Sequence, residues 1–159
     1  MAAQRKKWLR VALWLLVVLW MGVIFRFSAQ KAADSQRTSG RVVQWLLTHF
    51  DTAFSALPAE EQLLKMAGWS FAVRKLAHFT VFAVLGTLSF AAFSVDLPAR
   101  RAFPAALGLG VARAVLDEVH QSFIPGRSCE FRDICIDSAG VLLGAGVLWL
   151  IVCVVRKRN

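Results

Sequence analysis

Arg74, Lys75 and His78 precede a second polar group, Asp117, Glu118, Gln121, Arg127, Asp133 and Asp137, in a chain that is otherwise oily. Three chemistries suit these residue types. Arg74, Lys75 and Arg127 can bind a phosphate or carboxylate, with Gln121 beside them and Asp117, Asp133 and Asp137 orienting the cations. His78 or Glu118, with Asp117 alongside, can serve as general base in hydrolysis or transfer on a lipid-linked substrate, while the basic groups stabilise developing charge. His78, Glu118, Asp133 and Asp137 offer oxygen-rich donors with one imidazole, a set for a hard or borderline divalent ion. No HExxH-type motif accompanies that set, so the metal position stays unknown and no cofactor is expected. The chain also lacks a P-loop, a GxSxG elbow and a nucleophilic cysteine context.

A purely structural role competes with all three. From Arg113 to Asp137 there are five acids and three bases, and Arg74 with Lys75 brings the bases to five, so the cluster can neutralise itself. Spacing shows which groups share a helical face: Arg74 with His78, Arg113 with Asp117, Asp117 with Gln121, and Asp133 with Asp137 are each four apart. Between them Ile124-Pro125-Gly126-Arg127 reads as a constrained turn that aims Arg127. Asp133 and Asp137 at a helix start suit the positive end of its dipole.

The elements that position these residues follow from composition. At 159 residues, 57% hydrophobic and a mean hydropathy of +0.55, the chain reads as a single-domain integral membrane protein over residues 1–159. Its net charge of +9 is clustered beside hydrophobic runs, where it orients spans and meets anionic lipid, and nucleic acid is not expected as a partner. Cys129, Cys135 and Cys153 form no metal-type spacing and no disulfide framework; free thiols are expected, although a bridge between the first two is open.

Charged side chains at the centre of a span cost about 2.5 to 3.5 kcal/mol each, so the polar residues belong near an interface, in pairs or around a wet cavity. Four transmembrane helices are expected, over about residues 8–27, 71–95, 102–123 and 134–155. Arg5, Lys6, Lys7 and Arg10, then Arg100 and Arg101, then Arg156, Lys157 and Arg158 fall on one side of that arrangement. By the positive-inside rule both termini are then cytoplasmic, and the polar groups meet at the outer leaflet. The first apolar run resembles a signal peptide in its charge pattern but is long for one, which favours an uncleaved anchor. The outer segment, residues 28–70, is expected to carry short interfacial helices: one with Val42, Val43, Leu46, Leu47 and Phe50 on a single face, and a second over EEQLLKMAGW. Gly140, Gly144 and Gly146 let a neighbouring helix approach closely.

Three stretches carry a resemblance to a known family: FSAQ (Phe27 to Gln30), RKLAHF (Arg74 to Phe79) and DEVHQSFIPGRSCEFRDICIDSAG (Asp117 to Gly140). The chain resembles the VanZ-like membrane proteins over most of its length. That resemblance implies a small polytopic protein of the bacterial inner membrane, linked to the cell envelope and to low-level resistance against the lipoglycopeptide teicoplanin; it supplies no reaction. The positions it carries over are Arg74, Lys75, His78, Asp117, Glu118, Gln121, Arg127, Asp133 and Asp137. Two positions depart from the family's pattern: Phe82 stands where a Tyr is expected, and Arg113 adds a charge that can partner Asp117. The expected function is recognition of an anionic or amide-bearing envelope headgroup, with its modification as the extension if the site does chemistry. Membrane lipids or a lipid-linked envelope precursor are the expected partners. The competing expectation is a non-enzymatic scaffold that meets envelope proteins or another copy of itself through the glycines of the last span.

Overall fold

Apolar runs as long as these leave backbone N–H and C=O groups no partner in lipid except their own helix. The computed structural model describes residues 1–158, in five α-helices: α1 (Ala2–Ser28), α2 (Ala32–Phe50), α3 (Ala59–Ser94), α4 (Ala99–Gln121) and α5 (Phe131–Arg158). A 3-10 turn, Phe54–Ala56, joins α2 to α3, and no strand occurs among the described residues. Pro58 and Pro98 immediately precede α3 and α4, where the missing N–H disrupts no helical bond. The side chains of Arg156 and Arg158, counted in the C-terminal basic cluster, lie outside the described part of the structure.

Three helices are long and apolar enough to cross a membrane: α1 over Ala3–Ser28, α3, and α5 over Phe131–Val155. The protein is therefore an all-helical membrane protein. The expected third span is not among them. Helix α4 has the length, but Arg100 and Arg101 open it, and Arg113, Asp117 and Glu118 interrupt its second half. It is nonetheless built into the bundle, burying Ala102, Ala106, Gly110 and Ala114. It ends at Gln121, two residues before the expected boundary, where the turn through Pro125 begins.

The outer segment also differs from expectation. EEQLLKMAGW is no separate interfacial helix but the opening of α3, which runs unbroken for 36 residues. Glu60, Glu61, Gln62, Leu63, Leu64 and Lys65 are all strong helix formers, so nothing ends the helix before the apolar run begins. At about 1.5 Å per residue it spans roughly 54 Å, well beyond a hydrocarbon core of about 30 Å. Helix α2 is amphipathic, yet its packed face is narrower than the sequence pattern: Val43 and Leu47 are buried with Phe54 against Met66 and Val73 of α3, whereas Val42 and Phe50 stay exposed. It folds back onto α3.

Glycine makes the α3–α5 contact. A Cβ on Gly140 would collide with the Phe79 carbonyl oxygen, one on Gly144 with that of Ala83, and one on Gly86 would lie 2.9 Å from the Val141 Cα. Gly146, expected to join them, faces open space. The glycines expected to offer an external scaffold surface are thus largely consumed inside the bundle. Phe82, Leu85, Ile24 and Val141 fill the adjoining core, and Trp20 of α1 donates from Nε1 to the Val81 carbonyl of α3 at 2.7 Å.

At one end of the bundle, Arg10 and Lys6 pair with Asp96, at 2.6 and 3.6 Å, beside Arg100 and Arg101 at the start of α4. Ser28, where α1 ends at the opposite face, is 18 residues beyond Arg10. At helical rise that places the polar cluster about 27 Å above the basic end.

Candidate functional site

Four segments converge on this opposite face. Helix α3 contributes Arg74, Lys75 and His78; the last turns of α4 contribute Arg113, Asp117, Glu118 and Gln121; α5 opens with Asp133 and Asp137. The loop between α4 and α5 supplies Arg127 through a tight turn closed by the Arg127 N–H on the Ile124 carbonyl at 3.1 Å. Gly126 in that turn has φ +80°, a left-handed conformation that a side chain would strain.

The charges are connected in a specific order. Arg113 Nη1 lies 2.8 Å from Asp117 Oδ1, and Gln121 Nε2 donates to Asp117 Oδ2 at 2.9 Å. Arg127 Nη1 donates to Gln121 Oε1 at 2.8 Å, and its Nε to the Gln30 carbonyl at 3.0 Å. Lys75 grips Asp133, and its ammonium and the Arg132 guanidinium both lie over the Phe71 ring. Glu118 accepts the Glu130 N–H at 2.8 Å. Asp117, Glu118 and Asp137 are fully buried.

These pairs sort the expected cations. Asp133 engages Lys75 at close range, as an orienting acid would, while Asp117 holds Arg113, the partner its spacing offered, and Gln121. Arg127 is oriented by two neutral oxygens, not by a carboxylate. This leaves Arg74 and Arg127 as the cations of the cluster with no carboxylate partner among the described residues, and both line a polar pocket of about 130 Å³ with Lys75, His78, Gln121 and Asp133. Burial, and after it the neighbouring Arg74, lowers the Arg127 pKa from its ordinary value. Arginine remains cationic under such pressure.

On the other side of the cluster, His78 Nδ1 stands 3.7 Å from Asp137 Oδ1, neither Asp137 oxygen has a hydrogen-bond donor, and Glu118 Oε1 also lacks one. His78, Asp117 and Asp137 bring one potential metal-ligating atom each within 4.8 Å of one another. This is a different set from the one read in the sequence: Asp117 replaces Glu118 and Asp133. Asp117 Oδ2 accepts from Gln121, while Oδ1 has only the charge of the Arg113 guanidinium and no hydrogen bond, so the trio is partly compensated without an ion.

Sequence reasoning did not assign Gln30, the Glu130 N–H or Phe71 to the site. Gln30 ends the FSAQ stretch, but its contribution is a backbone oxygen, which residue type does not encode. Phe82, at the position where a Tyr was expected, is buried in the apolar core. All three cysteines are free thiols, with Cys129 and Cys135 exposed.

Fold and site together define a helical membrane protein with a buried cluster of ionisable side chains at one end of its bundle. The model of the VanZ/LLP1 family matches residues 13–152, and the chain belongs to that family. No curated protein and no solved structure matches it.

Proposed function

We propose that the protein recognises an anionic headgroup of an envelope lipid or lipid-linked precursor, held between Arg74 and Arg127. The observation that carries this reading is the pair of guanidiniums itself. Two neighbouring cations without carboxylate partners, facing one pocket, repel each other until an anion lies between them, and planar forks suit phosphate or carboxylate. The other cations of the cluster already have acids: Arg113 has Asp117 and Lys75 has Asp133. These pairs keep the pocket's walls in place and limit which shapes enter. His78, close to Asp137, and Glu118 form the proton-transfer pair if a bound headgroup is also modified.

In this reading α4 is a fourth membrane-crossing helix whose charged turns face the bundle interior, supported by the burial of Asp117 and Glu118. Helix α2 lies over the outer leaflet near the pocket. Both termini are cytoplasmic in the inner membrane of a bacterium, following the basic clusters, and lipoglycopeptide susceptibility is the cellular trait at stake.

The test is mass spectrometry of lipids that copurify with the intact protein, compared with Arg74→Ala and Arg127→Ala. An anionic lipid or precursor enriched on the intact protein and depleted from both variants is the expected result. Identical lipid profiles for all three would sink the reading. A second reading, a non-enzymatic scaffold stabilised by an ion-pair network, is favoured by the Arg113–Asp117 and Lys75–Asp133 pairs; it predicts those identical profiles.

A further inference from the structure

Beside the polar pocket lies a second cavity of about 210 Å³ with a different character. Ile24 and Phe27 of α1, Val42 of α2, and Val73, Ala77 and Val81 of α3 form most of its walls; Ser35, Thr38 and Ser39 of α2 also line it, the last two with their hydroxyls donated to carbonyls of their own helix. Its charged boundary is made by Arg74, His78 and Arg127, the residues that also line the polar pocket. One space is suited to an anion, the other to hydrocarbon, and they meet at the two arginines that lack carboxylate partners.

We infer that this groove seats a single hydrocarbon chain of an amphiphile whose phosphate head lies between Arg74 and Arg127. The inference rests on the headgroup reading above and adds the path of the tail. A fully apolar occupant, such as a partner helix, leaves both guanidiniums uncompensated; a water-soluble anion leaves the apolar walls unfilled. A molecule with both parts satisfies both. A methylene takes about the volume of a water molecule in the liquid, ~30 Å³, so the groove holds on the order of seven, a segment of a chain whose remainder continues into the bilayer. Lipid tails already provide an apolar environment, so the groove gains little from hydrophobic transfer. Its contribution is selection by shape, and it fixes the direction in which the head enters the polar pocket.

The experiment is titration of the full chain in phosphatidylcholine nanodiscs with inorganic phosphate and with dodecyl phosphate, using the wild type, Ala77→Phe, Val42→Trp and Arg74→Ala. Ala77→Phe and Val42→Trp fill the groove from opposite walls, so failure of one variant to fold leaves the other. Each is expected to weaken dodecyl phosphate about tenfold while leaving inorganic phosphate as in the wild type. Arg74→Ala is expected to weaken both probes. Dodecyl phosphate binding that is unchanged in the folded groove variants overturns the tail assignment and leaves the headgroup reading intact. A wild type that binds neither probe overturns the headgroup reading, and the tail assignment with it.

Discussion

Arg113 and Arg74 carry the same charge at the same end of the bundle, yet their removal has opposite expected consequences. Arg113 is the ion-pair partner of a fully buried carboxylate, so Arg113→Ala strands Asp117 in a low-dielectric interior at a cost of about 3 to 5 kcal/mol. Arg74→Ala removes a like charge from beside Arg127 and should leave stability unchanged or slightly raised. Thermal unfolding in detergent checks both: a large fall in Tm for the first, none for the second. Equal losses for both would make Arg74 part of the supporting network. The glycines divide similarly. Gly144→Leu overpacks the contact with Ala83 and should cost about 1 to 3 kcal/mol or more, whereas Gly146→Ala, which meets open space, should stay within about 0.5 kcal/mol. Much at this scale was legible in the sequence, because helical spacing already joins Arg113 to Asp117 and Asp117 to Gln121. The partner of Lys75 was not, since 58 residues separate it from Asp133 and only the packing of α5 on α3 brings them together.

At the scale of elements, the corner between α2 and α3 is tied by Lys65 and Asp51. The Lys65 hydrogen bond, outweighing partial desolvation, holds the Asp51 carboxyl below its ordinary pKa. A depressed carboxylate contributes stability above its unfolded pKa and loses it as pH falls through the folded value. Amide protection in α2, measured against the intrinsic exchange rate at each pH, should therefore fall on acidification below about pH 4, and Asp51→Asn should already be less protected at neutral pH and lose that dependence. Unaltered protection across that range would show that Val43, Leu47 and Phe54 alone hold the corner. The hydrophobic run identifies the apolar part of α3 readily. Its polar opening turns read as a separate helix because hydropathy changes there, while the backbone, composed of good helix formers, has no reason to stop. Hydropathy describes the surroundings of a helix, and propensity describes its continuity.

For the whole molecule, orientation decides what the site meets. Cys129 is exposed in the α4–α5 loop, on the same face as the polar pocket. In a Cys135→Ser background, which removes the other exposed thiol, a membrane-impermeant maleimide should label it in intact cells, with the signal lost when Cys129→Ser is added. Labelling only after permeabilisation would turn the site toward the cytoplasm and exclude an outer-leaflet substrate. The order of the long apolar helices was readable from hydropathy but their number was not: four spans were expected and three helices qualify, because Arg113, Asp117 and Glu118 interrupt α4, and spacing alone did not weigh how far those charges lower its apolar character. The separation of about 27 Å between the basic end and the cluster is set by helices that do not stretch. A membrane, however, varies in thickness, and in the proposed orientation a bundle anchored at its basic end holds its pocket at one height, apart from what tilting recovers. In a thicker bilayer the pocket sinks beneath the headgroups it would read; in a thinner one it stands clear of them. The protein is in this sense a fixed gauge, whose occupancy should peak at one acyl-chain length across a series of otherwise identical nanodiscs.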